Sequence, residues 1–597
     1  MHGHGHGFDA DAINVKVDTQ VLKRIGPYIW PYRLHLLLGL LFMLAVSVTG
    51  LISPLLLRTA IDRYIKAEQN VAGLSGVALL YLLVYVINWL CTYWQTYFVS
   101  WAGQNIIFSI RQRLFEHLQR LSFSFYDRVE AGRVMSRVTN DVGALNELVS
   151  SGILNVINDA FKLVGIVGIM LFMNWRLALL TFTTLPFLWL ISTKFRFRMQ
   201  MAYHQVRRKI ATVNANLQES ISGIRVAQSF TRENRNMEQF DNTNMENLQA
   251  NMQAAQLHSL FGPLVDLVGA VGICLVLWYG GNLIRADILT IGTAYAFINY
   301  VNQFYMPIRD LSQVYNVWQS ATVSTDRIFE LLETEPDVQD RPGAIELPTI
   351  TGRVTFENVT FGYLPDQPVL HDICLAAEPG QTVALVGPTG AGKSSIINLL
   401  SRFYDPGEGK ITIDGHELRD VTLQSLHRQL GIVLQDTFLF SGTIRENICY
   451  GRPDASDEEV IAATQAVGAH EFIMQLTDGY DTEVHERGSR LSIGQRQLIS
   501  FARTLLCDPR ILILDEATSS VDAYTEVIIQ RALERLLHGR TAFVIAHRLS
   551  TIRHADKIVA IDDGRVVEEG THDELLARQG GLYQMLYEMQ FKHQESA

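Results

Sequence analysis

The sequence is poor in the features that mark disulfide-bonded, zinc-binding and nucleic-acid-binding proteins. Its five cysteines are scattered along 597 residues without a C-x-x-C pair, which predicts free thiols in a reducing compartment. The net charge of −11 argues against a nucleic-acid partner, which would normally require a basic surface. No cleavable signal peptide is expected ahead of the first apolar run. The repeat His2–Gly7 is interpreted as a flexible tail or an expression tag, with weak metal binding as the alternative.

Long apolar stretches, in contrast, fill the first half of the chain, and 48% of all residues are hydrophobic. Each stretch approaches the length of about 20 residues that crosses about 30 Å of hydrocarbon. A buried core helix explains any single stretch, but a series of six favours a membrane domain. The six predicted spans are Leu34–Leu57, Val77–Val99, Gly152–Met173, Leu177–Phe195, Leu257–Tyr279 and Ile288–Pro307.

The connections between the spans predict the orientation. The two long connections, after spans two and four, are rich in Arg and Lys, which marks the cytoplasmic side. We therefore expect a multi-pass protein of the cell membrane whose N-terminus and second half are cytoplasmic. Both long connections lack Gly/Pro runs and predict helices that continue into the cytoplasm. Each has a turn near its middle, at Ser124–Gly132 and at Ser222–Phe230, which is positioned to contact a cytoplasmic domain.

Several polar groups lie inside the predicted spans, where ionisable side chains are costly and usually face a cavity or each other. Asp159 and Lys162 are three residues apart, so they are predicted either to pair on one helix or to contact a substrate. The same two alternatives hold for Asn155, Asn158, Asp266, Asn299, Asn302 and Gln303.

One stretch of the second half has the phosphate-binding pattern G-x-x-x-x-G-K-S. A β-prone run, Thr382–Val386, precedes it and a helix-like run, Ser395–Leu400, follows, as a P-loop requires. The glycines let backbone N–H groups turn toward phosphates, and the helix N-terminus adds partial positive charge. Lys393 is predicted to reach the β/γ-phosphates and the Ser394 hydroxyl to ligate Mg²⁺. The predicted ATP-binding residues of this stretch are Gly387, Pro388, Thr389, Gly390, Ala391, Gly392, Lys393, Ser394 and Ser395.

The predicted organisation is a membrane α-helical domain of six helices with long cytoplasmic extensions, followed by an α/β P-loop NTPase domain. An acidic, proline-containing segment, Leu332–Pro348, is interpreted as a solvated linker. The expected boundaries are 1–33 for a cytoplasmic lead-in, 34–325 for the membrane domain, 326–350 for the linker and 351–597 for the nucleotide-binding domain. Strands are predicted at Val354–Val359, Thr382–Val386, Lys410–Ile413, Gly431–Leu434, Ile511–Leu514, Ala542–Ala546 and Lys557–Ile561.

Two further strand ends carry residues suited to ATP hydrolysis. The apolar strand Ile511–Leu514 ends in Asp515 and Glu516. Beside a P-loop, the first carboxylate can hold Mg²⁺ through water and the second can orient or deprotonate the attacking water. His547 ends another strand and can hydrogen-bond a γ-phosphate, although a structural role is the alternative.

Between the P-loop and Asp515, the stretch Leu491-Ser492-Ile493-Gly494-Gln495 resembles the signature of ATP-binding cassette (ABC) transporters. The motif order of the second half is similar to that family, and the first half resembles its six-helix exporter domain, with coupling helices at Ser124–Gly132 and Ser222–Phe230. The resemblance implies specific roles: an adenine-stacking aromatic at Tyr363, the Mg²⁺-sensing Q-loop at Gln435, the Walker B pair at Asp515 and Glu516, the D-loop at Ser519–Asp522 and the switch histidine at His547.

In the family, two nucleotide-binding domains enclose two ATP molecules, so the resemblance implies a half-transporter that works as a dimer. Its partner is the same chain or a paralogous chain, and Ser492, Ile493, Gly494 and Gln495 would face the partner's ATP. The family usually has glycine where this chain has Ile493. A left-handed backbone there would exclude a β-branched residue, whereas a helical backbone accepts it at little cost. A heterodimer with one degenerate ATP site therefore stays open.

The implied function is ATP-driven export or leaflet flipping of amphipathic small molecules or lipids, with ATP and Mg²⁺ as cofactors and no nucleic-acid partner. A dedicated peptide or metabolite exporter is the first alternative. An ATP-gated channel is disfavoured because Glu516 and His547 are both present.

Overall fold

The computed structural model describes residues 19–364, 366–435, 437–485, 488, 490–515, 523–546 and 549–590. The chain divides into two compact units. The helical unit comprises Met1–Gln119 and Gly132–Thr334, and the sheet unit comprises Arg120–Ala131 and Glu335–Ala597.

The helical unit is built from long helices, several of which continue into π-helical turns at Ala60–Ala67, Arg137–Asp141 and Leu148–Ile153. The first eleven helices in chain order, of which α4 belongs to the sheet unit, are α1 (Thr19–Ile29), α2 (Arg33–Thr59), α3 (Val71–Leu118), α4 (Phe123–Arg128), α5 (Ala131–Ser136), α6 (Val142–Glu147), α7 (Leu154–Phe182), α8 (Leu185–Ser222), α9 (Ile224–Ser229), α10 (Glu233–Arg285) and α11 (Ile291–Glu333).

Within the part of the chain that the structure describes, four helical segments are long and apolar enough, by length and composition, to cross a membrane: Lys23–Ala67, Val71–Leu118, Ala131–Phe182 and Glu233–Arg285. The two other predicted spans do not form segments of this kind, for identifiable reasons. The apolar run Leu177–Phe195 is divided between α7 and α8 by a break at Thr183–Thr184. In α11, Asn299, Asn302 and Gln303 interrupt the apolar run.

The connection between the third and fourth predicted spans is a sharp turn at Asn174, whose φ of −161° and ψ of 103° are not helical. The Asn174 carboxamide oxygen accepts the N–H of Leu177 at 3.0 Å, as a helix cap does. The connection between the first and second predicted spans, residues 58–70, is different, because most of it is the π-helical segment Ala60–Ala67. Its last residue, Asn70, is the N-cap of α3, and the Asn70 side chain accepts the N–H groups of Ala72 and Gly73.

Hydrogen bonds between helices hold the helical unit together where lipid supplies no hydrophobic driving force. Tyr300 of α11 is fully buried and donates to the Leu51 carbonyl of α2 at 2.6 Å. Asn88 of α3 donates to Thr49 of α2 at 2.6 Å. A further polar contact joins Ser47 of α2 to Asn158 of α7, so α2 is bonded to three neighbouring helices.

The sheet unit has two main sheets and a small one. The strands are β1 (Val354–Phe361), β2 (Leu370–Ala377), β3 (Thr382–Val386), β4 (Glu408–Ile413), β5 (His416–Glu417), β6 (Leu430–Val433), β7 (Gly442–Thr443), β8 (Glu483–Val484), β9 (Ile511–Asp515), β10 (Thr541–Ile545), β11 (Lys557–Asp562) and β12 (Arg565–Gly570). One main sheet is four-stranded and antiparallel, in the order β2-β1-β4-β5, and the other is six-stranded, in the order β12-β11-β3-β10-β9-β6, with only its edge strand β12 antiparallel. The small sheet pairs β7 with β8.

Helices cover the six-stranded sheet and bury its nearly continuous apolar strands, as parallel sheets require. The helices of this unit after α4 are α12 (Lys393–Leu400), α13 (Leu423–His427), α14 (Ile444–Ile448), α15 (Asp457–Ala466), α16 (His470–Gln475), α17 (Ile493–Leu506), α18 (Ala523–Leu537), α19 (Leu549–Arg553), α20 (His572–Leu576) and α21 (Leu582–Gln590).

The segment expected to be a solvated linker is mostly exposed, but its start belongs to a helix and a few of its residues are anchored to other elements. Residues 326–333 continue α11. Beyond them, Leu347 is buried and its N–H donates to Ser425, while the Gln339 carbonyl accepts from the buried guanidinium of Arg402. Most residues of this segment are nevertheless exposed, and its buried apolar anchors are Val338 and Leu347.

Candidate nucleotide site

The P-loop connects the central strand β3 to α12, as the sequence pattern predicts. Two of its glycines are required by the geometry. A Cβ on Gly387 would lie 2.2 Å from the Ile561 carbonyl oxygen, and a Cβ on Gly392, whose φ is +102°, would lie 2.6 Å from Leu370 Cδ2. Only glycine accepts both the left-handed backbone and these close approaches.

Lys393 begins α12 and folds back across the loop. Its Nζ donates to the carbonyl oxygens of Gly387 and Pro388, both at 2.9 Å. Burial lowers the pKa of Lys393, and the Asp515 carboxylate opposes that shift. Ser394 is exposed and Ser395 is buried. The loop thus keeps one partly dehydrated ammonium group next to the N–H groups of a helix start, which favours binding of a phosphate.

Asp515 and Gln435 lie at the same edge of the six-stranded sheet as the P-loop. Strand β10 separates β3 from β9, and Ile545 pairs with both Leu385 and Asp515. Gln435 follows β6 by two residues and is exposed. Three predicted parts of the site lie outside the described residues: Glu516, the stretch Ser519–Asp522 and His547. In the chain, the first two follow β9 and His547 follows β10.

Tyr363 is bound to the helix that the P-loop starts. Its hydroxyl lies 3.0 Å from Ser395 Oγ and accepts from Asn398 Nδ2 at 3.1 Å. Its ring contacts Phe361 and Tyr404 edge-on, with centroid distances of 5.0 Å and 5.1 Å. The side chain is nevertheless 42% exposed, so part of the ring is accessible for stacking.

The signature stretch forms the start of α17. Ser492 is the N-cap, and its hydroxyl accepts the N–H of Gln495 while the Gln495 side chain accepts the N–H of Ser492, which is a capping box. Ile493 is the first helical residue, and its side chain is exposed, whereas Gly494 is buried. The helical alternative for Ile493 is therefore the one that the structure adopts, and the β-branched side chain causes no backbone conflict.

No sequence motif indicates the side chains that surround Tyr363. Asn398 and Tyr404 belong to no phosphate-binding pattern, and only the fold brings them to the tyrosine. The sequence indicates their proximity to the site only through Tyr404, which closely follows the P-loop helix and is adjacent in sequence to the aromatic residue Phe403.

A helical unit with apolar spans and a P-loop sheet unit on one chain define a membrane-bound ATPase. The family model for the ABC transporter transmembrane region matches residues 36–308, and that for the ABC transporter matches residues 370–519. The chain therefore belongs to the ABC transporter family, and its hydrolysis of ATP is coupled to transport.

Similar proteins cover nearly the whole chain. An uncharacterized ABC transporter ATP-binding protein, YknV of Bacillus subtilis, is 46% identical over 95% of this chain and 94% of its own length. An ATP-dependent lipid A-core flippase of Syntrophus aciditrophicus is 38% identical over 96% of this chain and 95% of its own. A fatty acid ABC transporter ATP-binding/permease protein of Mycobacterium bovis is 41% identical over 86% of this chain and 81% of its own length.

Proposed function

We propose that this protein exports or flips amphipathic molecules or lipids across the cell membrane, as a dimer driven by ATP. The observation that carries this proposal is a polar, charged cavity among the helices of the helical unit. In the proposed orientation the N-terminus and the sheet unit are cytoplasmic, where ATP is available.

The cavity has a volume of about 410 Å³ and is lined by α2, α3, α7 and α11. Asp159 and Lys162 both line it, and so do Asn299 and Gln303, which the sequence had marked as costly polar groups within spans. Tyr85 adds an aromatic wall. Both charge signs and several amide groups thus converge on one space that opens among apolar helices.

Such a cavity favours a ligand with a polar or ionic head and an apolar body. A charged or hydrogen-bonding head would replace water at Asp159 and Lys162, whereas the aliphatic and aromatic walls would accept the remainder. Two relatives are named as a lipid A-core flippase and a fatty acid transporter, and both names refer to amphipathic lipids. These names support the same substrate class for this chain.

Each nucleotide site of the dimer would be formed by residues from the nucleotide-binding domains of both chains. Lys393 would exchange its carbonyl partners for phosphate oxygens, which are stronger acceptors for a charged donor. Ser394, Gln435 and Asp515 offer hydroxyl, amide and carboxylate oxygens, a donor set that fits Mg²⁺. Glu516 would orient or deprotonate the attacking water, and His547 would bond the γ-phosphate. Bound Mg²⁺ would supply charge neutralisation at the phosphates.

The partner would be a second copy of this chain. Ser492 and the first N–H groups of α17 would bind the γ-phosphate held by the other copy. The capping box and the helical backbone at Ile493 support an intact signature. The dimer would close when ATP binds the closed state more tightly than the open state, and hydrolysis would reopen it.

Replacing Lys162 by methionine is expected to change the response of the ATPase to substrate. In liposomes, lipids and cationic drugs are screened for stimulation of ATP hydrolysis. For those with an anionic or zwitterionic head, the concentration that gives half-maximal stimulation should rise about tenfold, because a charge-assisted hydrogen bond is lost.

Lys194→Met is the matched control, because Lys194 is exposed on α8 and does not line the cavity. Its stimulation profile should equal that of the unmodified protein. If none of the lipids and drugs stimulated hydrolysis, the proposed substrate class would be wrong. If stimulation occurred with the same concentration dependence in the Lys162 variant, only the cavity assignment would fail.

A further inference from the structure

Helix α4, in the first of the two long basic connections, is held by several residues of the sheet unit. The Phe123 ring stacks on Phe403, with centroids 5.1 Å apart and planes at 20°. Arg128 and Ser124 both donate to the Asp337 carboxylate, at 2.7 Å and 2.5 Å. These contacts fix the position of α4 against Phe403, which follows the P-loop helix, and against Asp337, which precedes β1.

One contact of α4 reaches a buried group. The Tyr404 hydroxyl donates to Asp127 Oδ2 of α4 at 2.5 Å. Tyr404 is only 8% exposed, and its burial together with the Asp127 carboxylate raises the pKa of the phenol well above its usual value. The phenol therefore stays protonated at neutral pH and remains a hydrogen-bond donor.

The other side of Tyr404 faces Tyr363. The two rings meet edge-on at 5.1 Å and 87°, and the buried Phe361 contacts both of them, at 5.0 Å from Tyr363 and 5.5 Å from Tyr404. Edge-to-face contacts of this kind fix ring orientation as well as position. With its hydroxyl bound at Ser395 and Asn398, Tyr363 is thus held at both its tip and its ring.

We propose that Asp127 and Tyr404 are positioning residues for the nucleotide base. Asp127 holds the Tyr404 hydroxyl, Tyr404 holds the ring of Tyr363 from its side, and Tyr363 presents its exposed face to adenine. This inference rests on the nucleotide site of the proposed function, specifically on stacking at Tyr363.

The consequence is that α4 sets nucleotide affinity in the site of its own chain. Because α4 follows α3 in the sequence, a movement of α3 that displaced Asp127 would release Tyr404 and loosen Tyr363. Affinity for the base would fall, whereas the P-loop contacts to the phosphates would be unchanged. The phosphate and base parts of the site are therefore predicted to respond differently to substitutions in α4.

The test is calorimetric titration of the full-length protein with ADP and, separately, with inorganic tripolyphosphate, which has no base. Asp127→Asn and Tyr404→Phe should each weaken ADP binding about three- to tenfold, which is less than the full contribution of a charge-assisted hydrogen bond because the bond acts on the base indirectly, through Tyr363. Both variants should bind tripolyphosphate with unchanged affinity. In a Tyr363→Ala background, Tyr404→Phe should cause no further loss for ADP, because the two residues act in series.

Glu130→Gln is the matched control, since this exposed carboxylate lies three residues from Asp127 and its loss should leave ADP binding unchanged. Unchanged ADP affinity in the Asp127 and Tyr404 variants, beside a clear loss in Tyr363→Ala, would overturn the positioning role alone. An equal loss of affinity for ADP and for tripolyphosphate would also overturn the positioning role, because such a loss would indicate that the whole nucleotide site is disturbed. If Tyr363→Ala bound ADP normally, base stacking in the proposed site would fail as well.

Discussion

Replacing Lys393 by alanine is expected to reduce ATP hydrolysis by about 100-fold or more, the usual loss when one preorganised electrostatic contact to a transition state is removed. Lys393 Nζ lies over the P-loop at 2.9 Å from two of its carbonyl oxygens. In the proposed site, the transferring phosphoryl group would develop charge next to this ammonium group. Steady-state phosphate release by the purified protein measures the effect.

Lys410→Ala controls for the loss of a lysine in the same unit. Lys410 is half-exposed on β4 and pairs with Glu357 at 3.0 Å, and an exposed ion pair of this kind contributes little to stability. Its variant should keep nearly full activity. Hydrolysis at unchanged speed in the Lys393 variant would mean that ATP is split elsewhere, and the assignment of the site would be wrong.

Replacing Glu516 by glutamine is expected to reduce turnover about 10²- to 10⁴-fold, the range for loss of a general base. ATP binding should persist, because the P-loop residues and Tyr363 are unaltered. The measurement is ATP turnover and equilibrium nucleotide binding by this chain purified without any other subunit. Glu534→Gln, on the exposed face of α18, is the control and should behave as the unmodified protein.

The same measurement decides the composition of the dimer. Robust turnover by the chain alone, abolished in the Glu516 variant, would remove the need for a second kind of subunit. Absence of turnover in the unmodified chain, with ATP still bound, would contradict the proposed homodimer and would favour a paralogous partner.

Much of the sheet unit could be predicted because its signals are local. The seven predicted strands are all present, and the five that lie in the six-stranded sheet are parallel strands with continuous apolar runs and clear ends. Strand β2 was missed because His371 and Asp372 interrupt its apolar pattern, and Asp372 has a φ of +52°. Strand β12 was missed because it is a charged edge strand.

The P-loop was predictable residue by residue, because Gly387 and Gly392 are dictated by backbone geometry that the motif encodes. The environment of Tyr363 was not predictable. Asp127 and Tyr404 are 277 positions apart, and nothing in the local pattern of either residue indicates a hydrogen bond between them. The conformation of Ile493 was left open by the sequence because a single residue fits either a helix or a strained turn, and the capping box of Ser492 and Gln495 decided it.

ATP-dependent movement of a fluorescent lipid between the leaflets of liposomes that contain only this chain tests the proposed function most directly. With ATP and Mg²⁺, the labelled lipid should be redistributed in the unmodified protein and should stay in place in the Lys393→Ala and Glu516→Gln variants. Hydrolysis of ATP by the unmodified protein without redistribution of any labelled lipid or amphipathic drug would contradict it.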